Sequence, residues 1–136
     1  MADTFHCSVV TPEEAILECE ATFAAFPAHD GEIGILPQRS ALLCRLGIGI
    51  LRVKTAEETR RFFVDGGFAQ MVDNKLTLLT EQAKAEDNIE REAALAALEE
   101  ARALPTEGEG ENLHAVRQTA IERAQAQLKL VPKDRY

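Results

Sequence analysis

The side chains best able to do chemistry are few and scattered. Cys7, Cys19 and Cys44 are odd in number and have no CxxC spacing. A disulfide framework needs pairs and a zinc site needs clustered ligands, so the thiols read as small buried hydrophobes in a reducing compartment. His6, His29 and His114 show no HExxH and no paired spacing, and read as unrelated histidines rather than a metal set. Glu18, Glu32, Asp65 and Asp73 have no evident partner for acid–base work. No nucleophile elbow, P-loop or GxGxxG is present. Gly47-Ile48-Gly49 leads into no helix and reads as a bend within a sheet. Residues 27–37 stand apart: two prolines bracket a turn at Asp30-Gly31, followed by an apolar strand that starts with Glu32. This is either a hairpin with a decorated tip or an interaction loop at one end of a rigid body.

Charge and composition narrow the partners. The chain has 136 residues and a formal net charge of −8. That excludes broad contact with a phosphate backbone or a polybasic lipid-binding surface, both of which need clustered Lys and Arg. No nucleic acid is expected. The N-terminus has no basic n-region or long apolar run, so no secretory signal is expected. No apolar stretch approaches the roughly 20 residues that span a bilayer, so membrane association is expected only through a partner.

The elements that must position these residues fall into two kinds. All six phenylalanines and six of the eight glycines precede residue 85, and the rest is rich in Ala, Glu, Leu, Arg and Gln. Composition thus switches from β-type to α-type. In the first part the pattern predicts short strands over 5–10, 14–19, 21–26, 31–36, 42–46, 48–54, 60–64, 68–72 and 75–80. Asp65-Gly66-Gly67 permits a sharp bend, and Asp73-Asn74 a tight hairpin, because both residues tolerate positive φ. Short antiparallel strands at this spacing favour a sandwich or barrel. Residues 1–84 form this unit and 85–136 the second.

The second unit reads as two helices. Asp87 or Asn88 caps the first, with Ile89, Ala93, Ala97, Ala101 and Leu104 as its apolar positions, and Pro105 follows. The second starts near Asn112, carries Leu113, Val116, Ala120, Ala124, Leu128 and Val131, and ends at Pro132. The short loop implies an antiparallel hairpin. Two helices facing each other through alanine bury little apolar area, so the arm needs a third surface and each docked position is only weakly preferred. Residues 85–111 hold nine acids against Arg91 and Arg102; residues 112–136 hold Arg117, Arg123, Lys129, Lys133 and Arg135 against Glu122 and Asp134. This is either ordinary helix polarity or a basic helix suited to an acidic partner.

The chain resembles the epsilon subunit of bacterial F-type ATP synthases over nearly its whole length. The opening Phe5-His6-Cys7-Ser8-Val9-Val10-Thr11-Pro12-Glu13 is similar to the family's first strand and turn. Gly31-Glu32-Ile33-Gly34-Ile35-Leu36-Pro37, with Leu42-Leu43 after it, resembles its most recognisable signature. Phe63-Val64-Asp65-Gly66-Gly67-Phe68 and Leu76-Thr77-Leu78-Leu79-Thr80 match its Gly-Gly turn and next strand. The order and spacing of these pieces, followed by a helical hairpin, are specific.

The resemblance implies an α+β fold: an N-terminal antiparallel β-sandwich of about ten short strands, then a C-terminal antiparallel two-helix hairpin. It implies a non-catalytic central-stalk rotor subunit of a proton-translocating synthase, peripheral on the cytoplasmic face of the bacterial inner membrane. Its partners are the gamma subunit, the c-ring and the alpha/beta hexamer. Glu32 matches the segment that meets the c-ring loops. Thr11 and Arg39 match positions facing gamma or the rotor, with Arg39 where His is frequent. The arm either folds beside the sandwich or extends along gamma to oppose ATP hydrolysis, with Arg117, Arg123 and Lys129 as candidates for the acidic hexamer surface. Some members bind ATP at the folded hairpin; Glu86 and Arg123 match that site. However, Asn88-Ile89-Glu90-Arg91-Glu92-Ala93 lacks the Asp of the Ile-Asp-x-x-Arg-Ala motif and puts Glu92 where Arg is expected, a charge reversal. No resident cofactor or metal is expected. The residues alone also admit a free-standing adaptor holding a ligand between sandwich and arm, or a small β-fold enzyme.

Overall fold

The structure, a computed structural model, describes residues 3–108 and 112–131. Ten strands form: β1 (Phe5–Val10), β2 (Ala15–Ala21), β3 (Phe23–Ala28), β4 (Gly31–Ile35), β5 (Leu42–Arg45), β6 (Ile48–Lys54), β7 (Thr59–Asp65), β8 (Phe68–Val72), β9 (Lys75–Leu79) and β10 (Ala83–Ala85). Nine match the segments expected from residue pattern. The tenth, Ala-Lys-Ala, is too short to show a period of two, and pairs with β7. It runs one residue past the 84/85 division expected from composition.

The strands make two five-stranded sheets, ordered β2-β1-β9-β8-β5 and β10-β7-β6-β3-β4. Every strand pairing is antiparallel except β1 with β9. Alternation sends Phe5, Cys7, Val9, Met71, Leu76 and Leu78 of the first sheet against Phe26, Leu51, Val53 and Phe62 of the second, all essentially sealed from water. Burying a Leu or Phe contributes roughly 1.5–3 kcal/mol, so this layer gives the sandwich its own core. Asp73 and Asn74 take φ 50° and 61°, the two positive values of a tight two-residue hairpin. Gly67 has φ 106°, and a Cβ there would overlap the Leu79 carbonyl, so the bend requires glycine. The turn expected at Asp30-Gly31 lies one residue earlier: His29-Asp30 forms the loop, and Gly31 opens β4.

The arm departs from expectation in detail. Residues Glu86–Asn88 form a 3₁₀ turn, and the first helix, α1, spans Arg91–Arg102 with Glu90 as its N-cap and no side-chain cap bond. Asp87 and Asn88 are therefore not its caps. The second, α2, spans Leu113–Leu130, and Asn112 caps it by accepting from the Ala115 amide at 3.2 Å. Arg91 Nη1 donates to the Val131 carbonyl at 2.9 Å and Arg117 Nε to the Arg102 carbonyl at 3.2 Å, so the helices run antiparallel. Ala101 is buried as expected, but Ala93 and Ala97 are exposed and Ala94 and Leu98 are buried in their place; Leu98 and Ala101 pack with Ile121 and Ala124. Alanine on several faces of α1 gave no contrast, and packing chose the face that buries Leu98. On α2, Val116 is exposed while Ile121, Ala126 and Leu130 are buried. Gly110, Pro132, Lys133, Asp134 and Arg135 lie outside the described residues.

Candidate interaction surfaces

The outer face of the second sheet carries the arm. β7 sends Phe62 and Val64 into the sandwich and Phe63 the other way. Phe63 meets Ile89, Ala126, Leu130 and Val131, with Ile48 and Ile50 of β6 beside them. At the end of β7, the Asp65 carboxylate accepts from Arg123 Nε at 2.6 Å. The run Phe62-Phe63-Val64 was the sequence signal for this docking site, because three successive apolar residues in a strand imply cover on both faces.

The three arm cations do three different things. Their spacing of six turns the helix by about 600°, so successive side chains point roughly 120° apart. Arg117 binds α1, Arg123 binds Asp65, and Lys129 lines a cleft between arm and sandwich. That cleft, of about 590 Å³, is also lined by Glu32, Ile50, Arg52, Arg61, Glu86 and Leu130. Glu32, the second residue of β4, accepts from Arg52 Nη2 at 3.2 Å. Glu86 lies 3.8 Å from Arg61. Glu86 and Arg123 thus belong to different ion pairs, and Arg123 does not line the cleft. Arg52 and Arg61 were not singled out by sequence; only their position on β6 and β7 reveals them.

The outer face of the first sheet is open and partly apolar. Phe68 of β8, Leu79 of β9 and Val10 of β1 sit in register across three strands. Phe68 and Leu79 are about half exposed and Leu43 of β5 is 70% exposed. Thr11 and Arg39 lie at opposite ends of this face. Thr11 follows Val10, and its hydroxyl is engaged in its own turn with Glu14. Arg39 follows Gln38, whose amide donates to Asn74 Oδ1 at 2.9 Å at the far end of β8 and β9. On the β1–β2 edge, His6 is hydrogen-bonded to Glu20 at 3.0 Å and Glu18 at 3.4 Å, and its pKa is raised, chiefly by Glu20. Cys7 faces the core, where burial, with a smaller contribution from Cys19, pushes its thiol up to about 12. Cys19 and Cys44 are half-buried and also raised by burial. A neutral buried thiol is a poor nucleophile.

Residues 4–86 match the model of the ATP synthase delta/epsilon chain β-sandwich domain. The ATP synthase epsilon chain of Rhodopirellula baltica is 38% identical over 126 residues, covering 93% of this chain and 97% of that one. The chain belongs to the ATP synthase epsilon chain family. The epsilon chain of Desulfitobacterium hafniense is 36% identical over 128 residues, covering 94% and 96%. Among solved structures, a chain in the Euglena gracilis mitochondrial ATP synthase, OSCP/F1/c-ring, superposes with a TM-score of 0.83 at 24% identity over 97% of this chain and 83% of that one, which is likeness of fold. The epsilon-family sandwich here therefore presents two outer faces: one covered by its own arm, the other bare. Among the described residues no helix is long and apolar enough to cross a membrane.

Proposed function

We propose that the chain is a non-catalytic central-stalk rotor subunit of an F-type, proton-translocating ATP synthase. The bare face of the first sheet, with Thr11 and Arg39 at its ends, docks on the gamma subunit, and the Glu32 hairpin meets the polar loops of the c-ring. The arm extends to the alpha/beta hexamer and opposes ATP hydrolysis through Arg117, Arg123 and Lys129. The complex sits at the cytoplasmic face of the bacterial inner membrane.

One observation carries this reading: exposed apolar residues at Phe68, Leu79 and Leu43 on a sheet face that the chain's own arm leaves uncovered. Such a patch marks an interaction surface. Chains of similar fold occur in an F1/c-ring assembly and a central stalk/c-ring assembly of mitochondrial ATP synthases, which supports the choice of partner. No cofactor belongs to this reading. In the cleft, Glu32 and Glu86 counter Arg52 and Arg61, and the charge-reversed motif argues against bound ATP.

The decisive experiment is truncation after Glu86 in the assembled enzyme. Every residue of the sandwich core precedes that point, so the shortened chain is expected to fold and to assemble. ATP hydrolysis is expected to rise. Unchanged hydrolysis with normal assembly removes the inhibitory role and leaves the rotor role.

A further inference from the structure

The apolar contact between arm and sandwich is small. From α2 and its end, Ala126, Leu130 and Val131 rest on Phe63, Ile48 and Ile50. Such contact is non-directional and tolerates sliding. The Arg123–Asp65 pair is directional. Asp65 closes β7, where its backbone is held by pairing with Ile48 and by a 3.1 Å bond from its amide to the Gln82 carbonyl. Its side chain is only 14% exposed. A fixed, sheltered carboxylate thus faces a long side chain on the arm.

We propose that Asp65 is the latch that sets the arm's docked position, and that it competes with the hexamer for the Arg123 guanidinium. The inference rests on the reading above only for the second clause. One guanidinium edge cannot serve both acceptors, so an extending arm gives up Asp65 before it gains an acidic partner. A partner then shifts the arm by the difference between the two affinities. Lys129 and Arg117 cannot substitute at Asp65, because the helix turns them to other faces.

The test begins with the isolated full-length chain, by methyl NMR of Ile48, Ile50 and Leu130, whose shifts report the Phe63 ring. Arg123 is half exposed, so Asp65→Asn is expected to shift the docked-to-undocked ratio by a modest factor, about 2- to 5-fold, with the wild type approaching the variant at high salt. Arg123→Gln should give the same shift, and Asp65→Arg with Arg123→Asp should restore docking. Single variants without a shift, or a charge swap that fails to restore it, overturn the latch. In the assembled enzyme Asp65→Asn should lower ATP hydrolysis, whereas Arg123→Gln should not, since it also removes the cation offered to the hexamer. If the NMR shifts occur but hydrolysis is unmoved by Asp65→Asn while truncation after Glu86 still raises it, the competition is refuted and both the latch and the arm's inhibitory role stand. If truncation also leaves hydrolysis unchanged, the inhibitory role fails and the latch alone stands.

Discussion

His6 shows how a single residue acquires a property from its strand partners. Cross-strand register puts Glu20 opposite it and Glu18 diagonal to it, while Lys75 lies opposite on β9. The two carboxylates outweigh desolvation and raise the imidazole pKa. A group whose folded pKa exceeds its unfolded value stabilises the fold when protonated. The contribution is complete below the ordinary value of about 6.5 and fades as pH rises through the raised value. Replacing His6 by Gln should therefore lower Tm at about pH 6 and leave it nearly unchanged at about pH 8.5, well above the ordinary value. Equal losses at both pH values would mean that His6 acts by packing alone. None of this was readable from His6 in sequence, where the histidine stood alone and Glu18 looked partnerless. Cys7 was legible, because alternation in residues 5–10 already turned it inward.

At the scale of elements, strands were legible where turn chemistry fixed them. Asp73-Asn74 and Gly66-Gly67 set their flanking strands to within a residue. Helix faces were not legible, because Ala93, Ala94, Ala96 and Ala97 present similar side chains around α1. Leu98 decides the matter by size: it and Ile121 are the bulky anchors between the helices. Leu98→Ala is expected to cost about 2–5 kcal/mol locally, the range for a buried Leu truncated to Ala. Amide exchange should quicken in α1 and α2 while β6 and β7 keep their protection. Equal loss of protection in the sheets would show that arm and sandwich unfold as one unit.

On the scale of the whole molecule, the sandwich has one outer face covered by its own arm and one left open. The second sheet's face is covered by α2, and the first sheet's face is open. Phe68 is about half exposed and points away from the core, so Phe68→Asp should change Tm little. It should instead reduce capture of the gamma subunit in pull-down from native membranes. A large fall in Tm with capture retained would mark Phe68 as structural and move the docking surface elsewhere.

The order of residues alone determined an all-β body, sandwich or barrel, followed by two helices, because strand alternation, glycine turns and the β-to-α change of composition are local signals; the choice of sandwich came from the family resemblance. Tertiary structure decided which helix touches the sandwich, which α1 face is buried, and that Asp65 finds Arg123. That pair lies 58 residues apart, and an ion pair leaves no periodic trace in a sequence. Side chains of similar size leave the burial face open until a second surface selects one.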